Sequence, residues 1–286
     1  MFNSFSKSIL FAPLLSLLLG GVLVVSCGDD DNDEGVQNSS SDQNGGNNGG
    51  SNDSGSENVF PGKVYTVNGV SFKMIAVKGG TFQMGSDDGY EWEKPVHRVT
   101  LSDYYIGETE VTQELWSAVM GSNPSRFSGN MQCPVEMVSW NDCQTFISKL
   151  NELTGATFRL PTEAQWEFAA RGGNNSQGYI YSGSNTIDDV AWYTSNSSST
   201  THPVKTKAPN ELGIYDMSGN VLEWCSDWYG SYSSAAQTDP TGSSTGSNRV
   251  RRGGSWFDFA TDCRVASRSI YTPSLSSSLL GLRLAY

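Results

Sequence analysis

Apolar and polar positions change rhythm along this chain, and the changes divide it. Ile9 to Val25 is almost continuously apolar, interrupted only by Pro13, Ser16, Gly20 and Gly21. Residues 28–58 are Asp, Asn, Ser and Gly with hardly an apolar side chain, too little to offset chain entropy, which predicts a flexible tether. From Val59 onward apolar residues return in short runs of recognisable period. Val70–Val77 reads as a strand, Gly79-Gly80 as the turn after it, and Thr81–Met84 as its hairpin partner. Three helices follow: Thr112 to Met120, stopped by Gly121; Ser139 to Leu153, opened by a Ser139/Asp142 capping box; and Pro161 to Ala170, opened by Thr162 and Gln165. In the second helix Trp140, Cys143, Phe146, Ile147, Leu150 and Leu153 recur at three-four spacing and define a buried face. Beyond Gly172 the chain is rich in Gly, Ser and Asn with scattered Trp and Tyr. That composition predicts irregular loops pinned by aromatics over short strands.

Charge and composition narrow the function. A formal net charge of -12 lacks the basic stripe a nucleic acid would need, so no nucleic-acid partner is expected. His97 and His202 are the only two histidines, which excludes a three-histidine metal site. At the N-terminus, Lys7 precedes the apolar run, and Val24-Val25-Ser26-Cys27 resembles a bacterial lipobox. The expectation is a signal peptide over 1–26, lipidation at Cys27, a tether over 27–58 and a globular domain over 59–286. Gly28-Asp29-Asp30-Asp31 resembles an export signal for outer-membrane lipoproteins exposed at the cell surface. Five cysteines less Cys27 leave Cys133, Cys143, Cys225 and Cys263. Outside the cytoplasm an even count predicts two disulfides. Cys133 with Cys143 and Cys225 with Cys263 is the preferred pairing of three, although spacing does not settle it.

Seven segments resemble the formylglycine-generating enzyme (sulfatase-modifying factor) family. They are Gly80–Gly85, Glu110–Thr112, Pro134–Trp140, Arg159–Glu167, Gly213–Trp224, Arg252–Trp256 and Gly281–Arg283, in the family's order. The resemblance implies an α+β, C-type-lectin-like fold, loop-rich, with short strands and about three helices. Arg159 is expected to pair with Glu163 or Glu167, and Trp140, Trp166 and Trp224 to supply buried area. The resemblance also implies a structural calcium ion at Asn220 and Glu223, with Asp216 and Asp227 nearby. The alternative is that these groups hydrogen-bond loop backbone.

The family's oxidases use two thiols, the first three residues and the second eight residues after the Ser of Gly-Gly-Ser. Counted from Ser255, these positions are Asp258 and Cys263. Counting back from Arg264-x-Ala266-x-Arg268 puts the second at Ala260 instead. Either way the pair is incomplete, and a carboxylate does not replace a Cu(I) thiolate. No copper and no catalytic residue are therefore expected, and Cys263 reads as a structural residue.

The C-terminal segment 252–286 also resembles variable proteins of diversity-generating retroelements. In those proteins Asn codons between fixed framework positions are rewritten. The framework would be Arg252–Trp256, Cys263–Ala266, Arg268, Thr272–Ser274, Gly281 and Arg283–Ala285. The gaps hold Phe257, Asp258, Phe259, Thr261, Asp262, Ser267, Ser269, Ile270, Tyr271, Leu275, Ser277, Ser278, Leu279, Leu280 and Leu282. Each is reachable from an Asn codon by changing its adenines, whereas Lys, Glu, Gln and Met are not, and none of those four occurs after Gly253. Leu280 and Leu282 read as core. The other large apolar residues, rimmed by Asp, Thr and Ser, predict a face for an extracellular protein or glycan. The ligand-binding set is Phe257, Asp258, Phe259, Thr261, Asp262, Ser267, Ser269, Ile270, Tyr271, Leu275 and Leu279. The competing expectation is a formylglycine-generating oxidase or a scaffold derived from one.

Overall fold

Val70–Val77 is a strand, as its alternation predicts, but its partners differ from the expected hairpin. The computed structural model describes residues 60–286; the expected signal peptide, lipidation site at Cys27 and tether lie outside the described residues. The chain opens with β1 (Lys63–Val67), β2 (Val70–Val77), β3 (Gly80–Met84), β4 (His97–Leu101) and β5 (Tyr104–Gly107). Three helices come next: α1 (Gln113–Met120), α2 (Trp140–Thr154) and α3 (Glu163–Ala170), then a single turn, α4 (Ile187–Val190). β6 (Leu222–Trp228), β7 (Gln237–Thr238), β8 (Arg249–Arg252), β9 (Arg268–Tyr271) and β10 (Leu280–Gly281) complete it.

These strands form three small sheets. β2 sits between β1 and β5, both antiparallel to it, so neither edge of β2 is left for residues 81–84. β3 pairs instead with β4, which also takes β7 in parallel. The turn between β2 and β3 is held sideways: Gly79 N–H donates to Asp103 Oδ1 at 2.8 Å and Lys78 pairs with Asp103 at 2.7 Å. The third sheet has the order β10-β6-β8-β9.

The helices form where their caps predict. Ser139 with Asp142 and Thr162 with Gln165 make complete capping boxes, and α1 and α2 stop at Gly121 and Gly155 in left-handed geometry. On α2, Cys143, Phe146, Ile147 and Leu150 are buried. Trp140 is only half-buried under Arg249, and Leu153 is exposed, so the buried face is narrower than the periodicity implies. One core packs Trp116, Phe146 and Leu150 against Phe158, Trp224 and Leu282. A second surrounds Trp166 with Val99, Ile106, Phe168, Met217 and Val250.

Among the described residues the cysteines are not paired. All four are buried free thiols. Cys143 lies in the first core, Cys225 in the second and Cys263 in a separate cluster with Ala191 and Tyr193. Each fills apolar space as a small hydrophobe does, and the separation of Cys225 from Cys263 corrects the expected bridge.

Candidate functional site: the C-terminal segment

Three arginines pin the C-terminal segment from inside. Arg283, fully buried, donates to Glu223 through Nε at 3.0 Å and Nη2 at 2.7 Å, and to the carbonyls of Gly107 and Tyr215. Arg252, also fully buried, pairs with Glu167 and donates to Ser267 O, and its Nε lies 3.2 Å from Glu163 Oε1. Arg268 forms a two-point pair with Glu163, at 2.7 and 2.6 Å. Burial works to raise the Glu167 carboxyl, but Arg171 and Arg252 hold it below the usual carboxylate range. These partners come from α3 and β6, so the two cores position the segment. Arg159 takes no part in this network. It donates to Leu160 O and Gln165 Oε1, and the expected pair with Glu163 or Glu167 does not form because those carboxylates face Arg252 and Arg268.

Between these anchors the chain turns outward. Ser255 is buried, Trp256 donates its indole N–H to Ser278 O at 2.9 Å, and Val265 and Ala266 are buried. By contrast Phe257 is 59% exposed, Phe259 70%, Leu275 49% and Ile270 39%, and Thr261 is exposed. Asp258, Asp262 and Ser269 are half-exposed. Three gap positions depart from the expected outward set. Ser267 is buried beside Arg252, and Tyr271 and Leu279 pack partly against the first core. Leu280 and Leu282 are core, as expected.

The segment frames a cleft of about 210 Å³ that brings Asp258, Asp262, Ser267 and Ser269 together; Phe257, Phe259, Ile270 and Leu275 do not line it. Its other wall is Tyr90 and Trp92, at a short 3-10 turn (Glu91–Glu93). Their rings stack at 4.7 Å and both are partly exposed, and Tyr90 Oη–H donates to Asp262 at 3.3 Å. The turn is fixed by Glu93, which is buried and takes two hydrogen bonds from Arg264 at 2.9 and 2.6 Å. This wall has no counterpart in the sequence reading. The signal was present in Tyr90-x-Trp92, an aromatic pair in a polar stretch, but nothing local ties it to residues some 170 positions later.

The thiol positions are arranged for packing. Asp258 accepts from Ser255 Oγ–H at 2.6 Å. Cys263 is fully buried against Gly254, whose backbone lies at positive φ and where a Cβ would sit 2.6 Å from the sulfur. Burial, with Asp258 and Asp262 beside it, pushes the Cys263 thiol well above its usual range, so the nucleophilic thiolate is disfavoured.

The residues named for calcium do not fit that ion. Glu223 gives both oxygens to Arg283 and accepts the indole N–H of Trp166 at 2.6 Å, and a cation there would sit against a guanidinium. Asn220 accepts from His202 N–H and donates to Glu110 at 2.7 Å. Asp216 accepts from Lys205 N–H, and Asp227 from Glu163 N–H at the start of α3. Among the described residues no three His, Cys, Asp or Glu side chains converge as a metal site. Burial and then the Glu163 charge raise Asp227 to about 7; burial raises Asp216 to about 6.

The fold and this segment define the class: a loop-rich α+β domain of C-type-lectin-like type whose C-terminus is buried by arginines and faces outward between them. Residues 66–286 match the model of the sulfatase-modifying factor enzyme 1-like domain, and the chain belongs to that family. The formylglycine-generating enzyme of Streptomyces coelicolor is 32% identical over 283 residues, covering 74% of this chain and 88% of that one. The protein named chaperone protein LppX of Paenibacillus barcinonensis is 38% identical over 247 residues, covering 69% and 83%. Among solved structures, Treponema denticola variable protein 1 matches with a TM-score of 0.73 at 39% identity, covering 78% of this chain and 98% of that one.

Proposed function

We propose that this protein is a lipid-anchored outer-membrane lipoprotein, displayed at the cell surface, whose C-terminal segment binds an extracellular protein or glycan. The observation that carries the reading is the division within residues 252–286. Framework side chains such as Arg252, Trp256, Val265, Arg268 and Arg283 are buried, while Phe257, Phe259, Thr261, Ile270 and Leu275 are offered to solvent. Exposed phenylalanines on a scaffold held by buried ion pairs give contact area at small ordering cost. The likeness to Treponema denticola variable protein 1 supports the same reading. Lipidation at Cys27 and the polar tether would hold the domain away from the membrane.

The test uses the full chain and a variant with Phe257, Phe259, Ile270 and Leu275 all changed to Ser, applied to arrays of extracellular proteins and glycans. The expected result is saturable binding that the variant loses while its melting temperature is kept. Equal binding by the variant, or copper-dependent oxidation of a Cys-x-Pro-x-Arg peptide by the parent chain, overturns the reading in favour of a formylglycine-generating oxidase. Two further observations bear on display and diversification. Cys27→Ser is expected to release the protein from membranes. The neighbouring DNA is expected to carry a near-copy of the C-terminal coding segment with Asn codons at the gap positions, beside a reverse transcriptase gene.

A further inference from the structure

His97 and Asp227 line one cleft without bonding to each other. The cleft, about 320 Å³, lies where β4, β6 and the start of α3 converge, and Ser231, Gln237 and Gly242 close it from β7 and its flanking loops. Both side chains are only 3% exposed. His97 Nδ1 lies 3.0 Å from Pro95 O. A carbonyl only accepts, so Nδ1 carries the proton of the neutral ring and Nε2 keeps its lone pair. Nε2 has no hydrogen-bond partner among the described residues. Asp227 uses one oxygen: Oδ2 accepts from Glu163 N–H at 3.0 Å and from Ser226 Oγ–H at 2.9 Å, whereas Oδ1 has no partner among the described residues. Two polar atoms on nearly buried side chains are thus left open to the same space, an arrangement that costs free energy until something fills it.

The other strong groups in the wall are already engaged. Arg268 forms its two-point pair with Glu163, and Tyr232 Oη–H donates to the same carboxylate at 3.2 Å. Arg268 lies over the Tyr232 ring at 3.9 Å and Arg249 over the Trp228 ring at 3.5 Å, so these ring faces are covered. What stays open is hydrogen-bonding capacity: His97 Nε2, Asp227 Oδ1, the Ser231 hydroxyl and the Gln237 carboxamide, beside the apolar Met84 and Ala164. Burial and then the Glu163 charge raise Asp227 to about 7, so near neutral pH its Oδ1 alternates between donor and acceptor. A hydroxyl both donates and accepts, and so satisfies Oδ1 in either state while another donates to Nε2. An ammonium or a carboxylate suits only one of those states. The volume falls at the small end of the range for small-molecule sites, roughly 300–1,000 Å³, which is room for one ring.

We propose that this cleft binds a neutral, hydroxyl-bearing ring, a single sugar unit, through His97 Nε2 and Asp227 Oδ1. It is a second site, independent of the binding reading above, because Phe257, Phe259, Ile270 and Leu275 do not line it.

The chain has two histidines, so histidine-selective nitrogen-15 labelling gives two imidazoles to follow. The probes are the methyl glycosides of glucose, galactose, mannose and N-acetylglucosamine, each titrated into the full chain, with ethanolamine and acetate as charged controls. At least one glycoside is expected to shift His97 Nε2 saturably while His202 and the charged controls show no response. Ser231→Trp, which puts an indole at an exposed position on the rim, is expected to weaken that binding at least about tenfold. His97→Phe, read by saturation transfer to the glycoside, is expected to weaken it by about the same factor. Melting temperatures report whether the variants fold, and Ser231→Trp alone decides if His97→Phe unfolds. Absence of a saturable shift with all four glycosides, a response to a charged control alone, or undiminished binding by folded variants overturns the assignment. The Phe257/Phe259/Ile270/Leu275 variant is expected to bind the glycoside as the parent does. Loss of binding there would move the sugar to the C-terminal segment, so the second site would fall while the binding reading stands.

Discussion

Two sets of residues alternate through the same C-terminal thirty-five, and they obey different physics. The framework set faces inward, where Arg252, Arg268 and Arg283 meet carboxylates from α3 and β6 in full or nearly full burial. Each is costly to remove because its partner would remain buried and charged. Part of the gap set faces outward: Phe257, Phe259, Thr261, Ile270 and Leu275 are exposed, and their identity is expected to matter little to the fold. One segment thus serves as a structural closure and, in the proposed reading, as an exchangeable surface. The arrangement separates buried from exposed positions at the level of alternate residues.

The comparison breaks most sharply at Arg283. Arg283→Ala is expected to cost on the order of 3–5 kcal/mol, read by chemical denaturation, because Glu223 is left buried without its counter-charge. Next in size is a pH effect from the acids beneath the segment. Asp227 is raised to about 7 from an ordinary value of 3.8, so the folded state keeps a proton that the unfolded state releases. The Asp227 contribution to stability is therefore fully present below about pH 4 and is lost as pH rises through 7. Asp227→Asn is expected to flatten that decline and to raise stability at pH 8 by on the order of a few kcal/mol. Changing Phe257, Phe259, Ile270 and Leu275 together to Ser is expected to shift stability by less than about 1 kcal/mol, which sharpens the contrast with Arg283. The smallest effect belongs to reductant. With four free thiols, dithiothreitol is expected to leave the melting temperature unchanged, and alkylation of the denatured chain is expected to label Cys133, Cys143, Cys225 and Cys263.

Much of the scaffold is legible in local sequence because local physics decides it. The capping boxes at Ser139 and Thr162, the glycine stops at 121 and 155, and the alternation of Val70–Val77 all act within a few residues. What the sequence hides is long-range choice. The hairpin over 70–84 fails because β2 takes β1 and β5 as neighbours, a competition no local pattern records. The disulfides fail because an even cysteine count is equally compatible with separate apolar niches. Arg159 loses Glu163 and Glu167 to arginines nearly a hundred residues away. At the site, Phe257, Phe259, Thr261, Ile270 and Leu275 are exposed as expected, whereas Ser267, whose carbonyl is recruited by Arg252, and Tyr271 and Leu279, which pack against the core, are not. Codon logic is also silent on Tyr90 and Trp92, which complete the cleft from the other end of the domain.

A saturation scan of residues 252–286, read by protease resistance of the full chain, tests the central division most directly. The expected result is sharp intolerance at Arg252, Trp256, Arg268 and Arg283, with near-free exchange at Phe257, Phe259, Thr261, Ile270 and Leu275. Intolerance at those outward positions equal to that of the arginines would contradict the account, because they would then be holding the fold rather than facing a ligand.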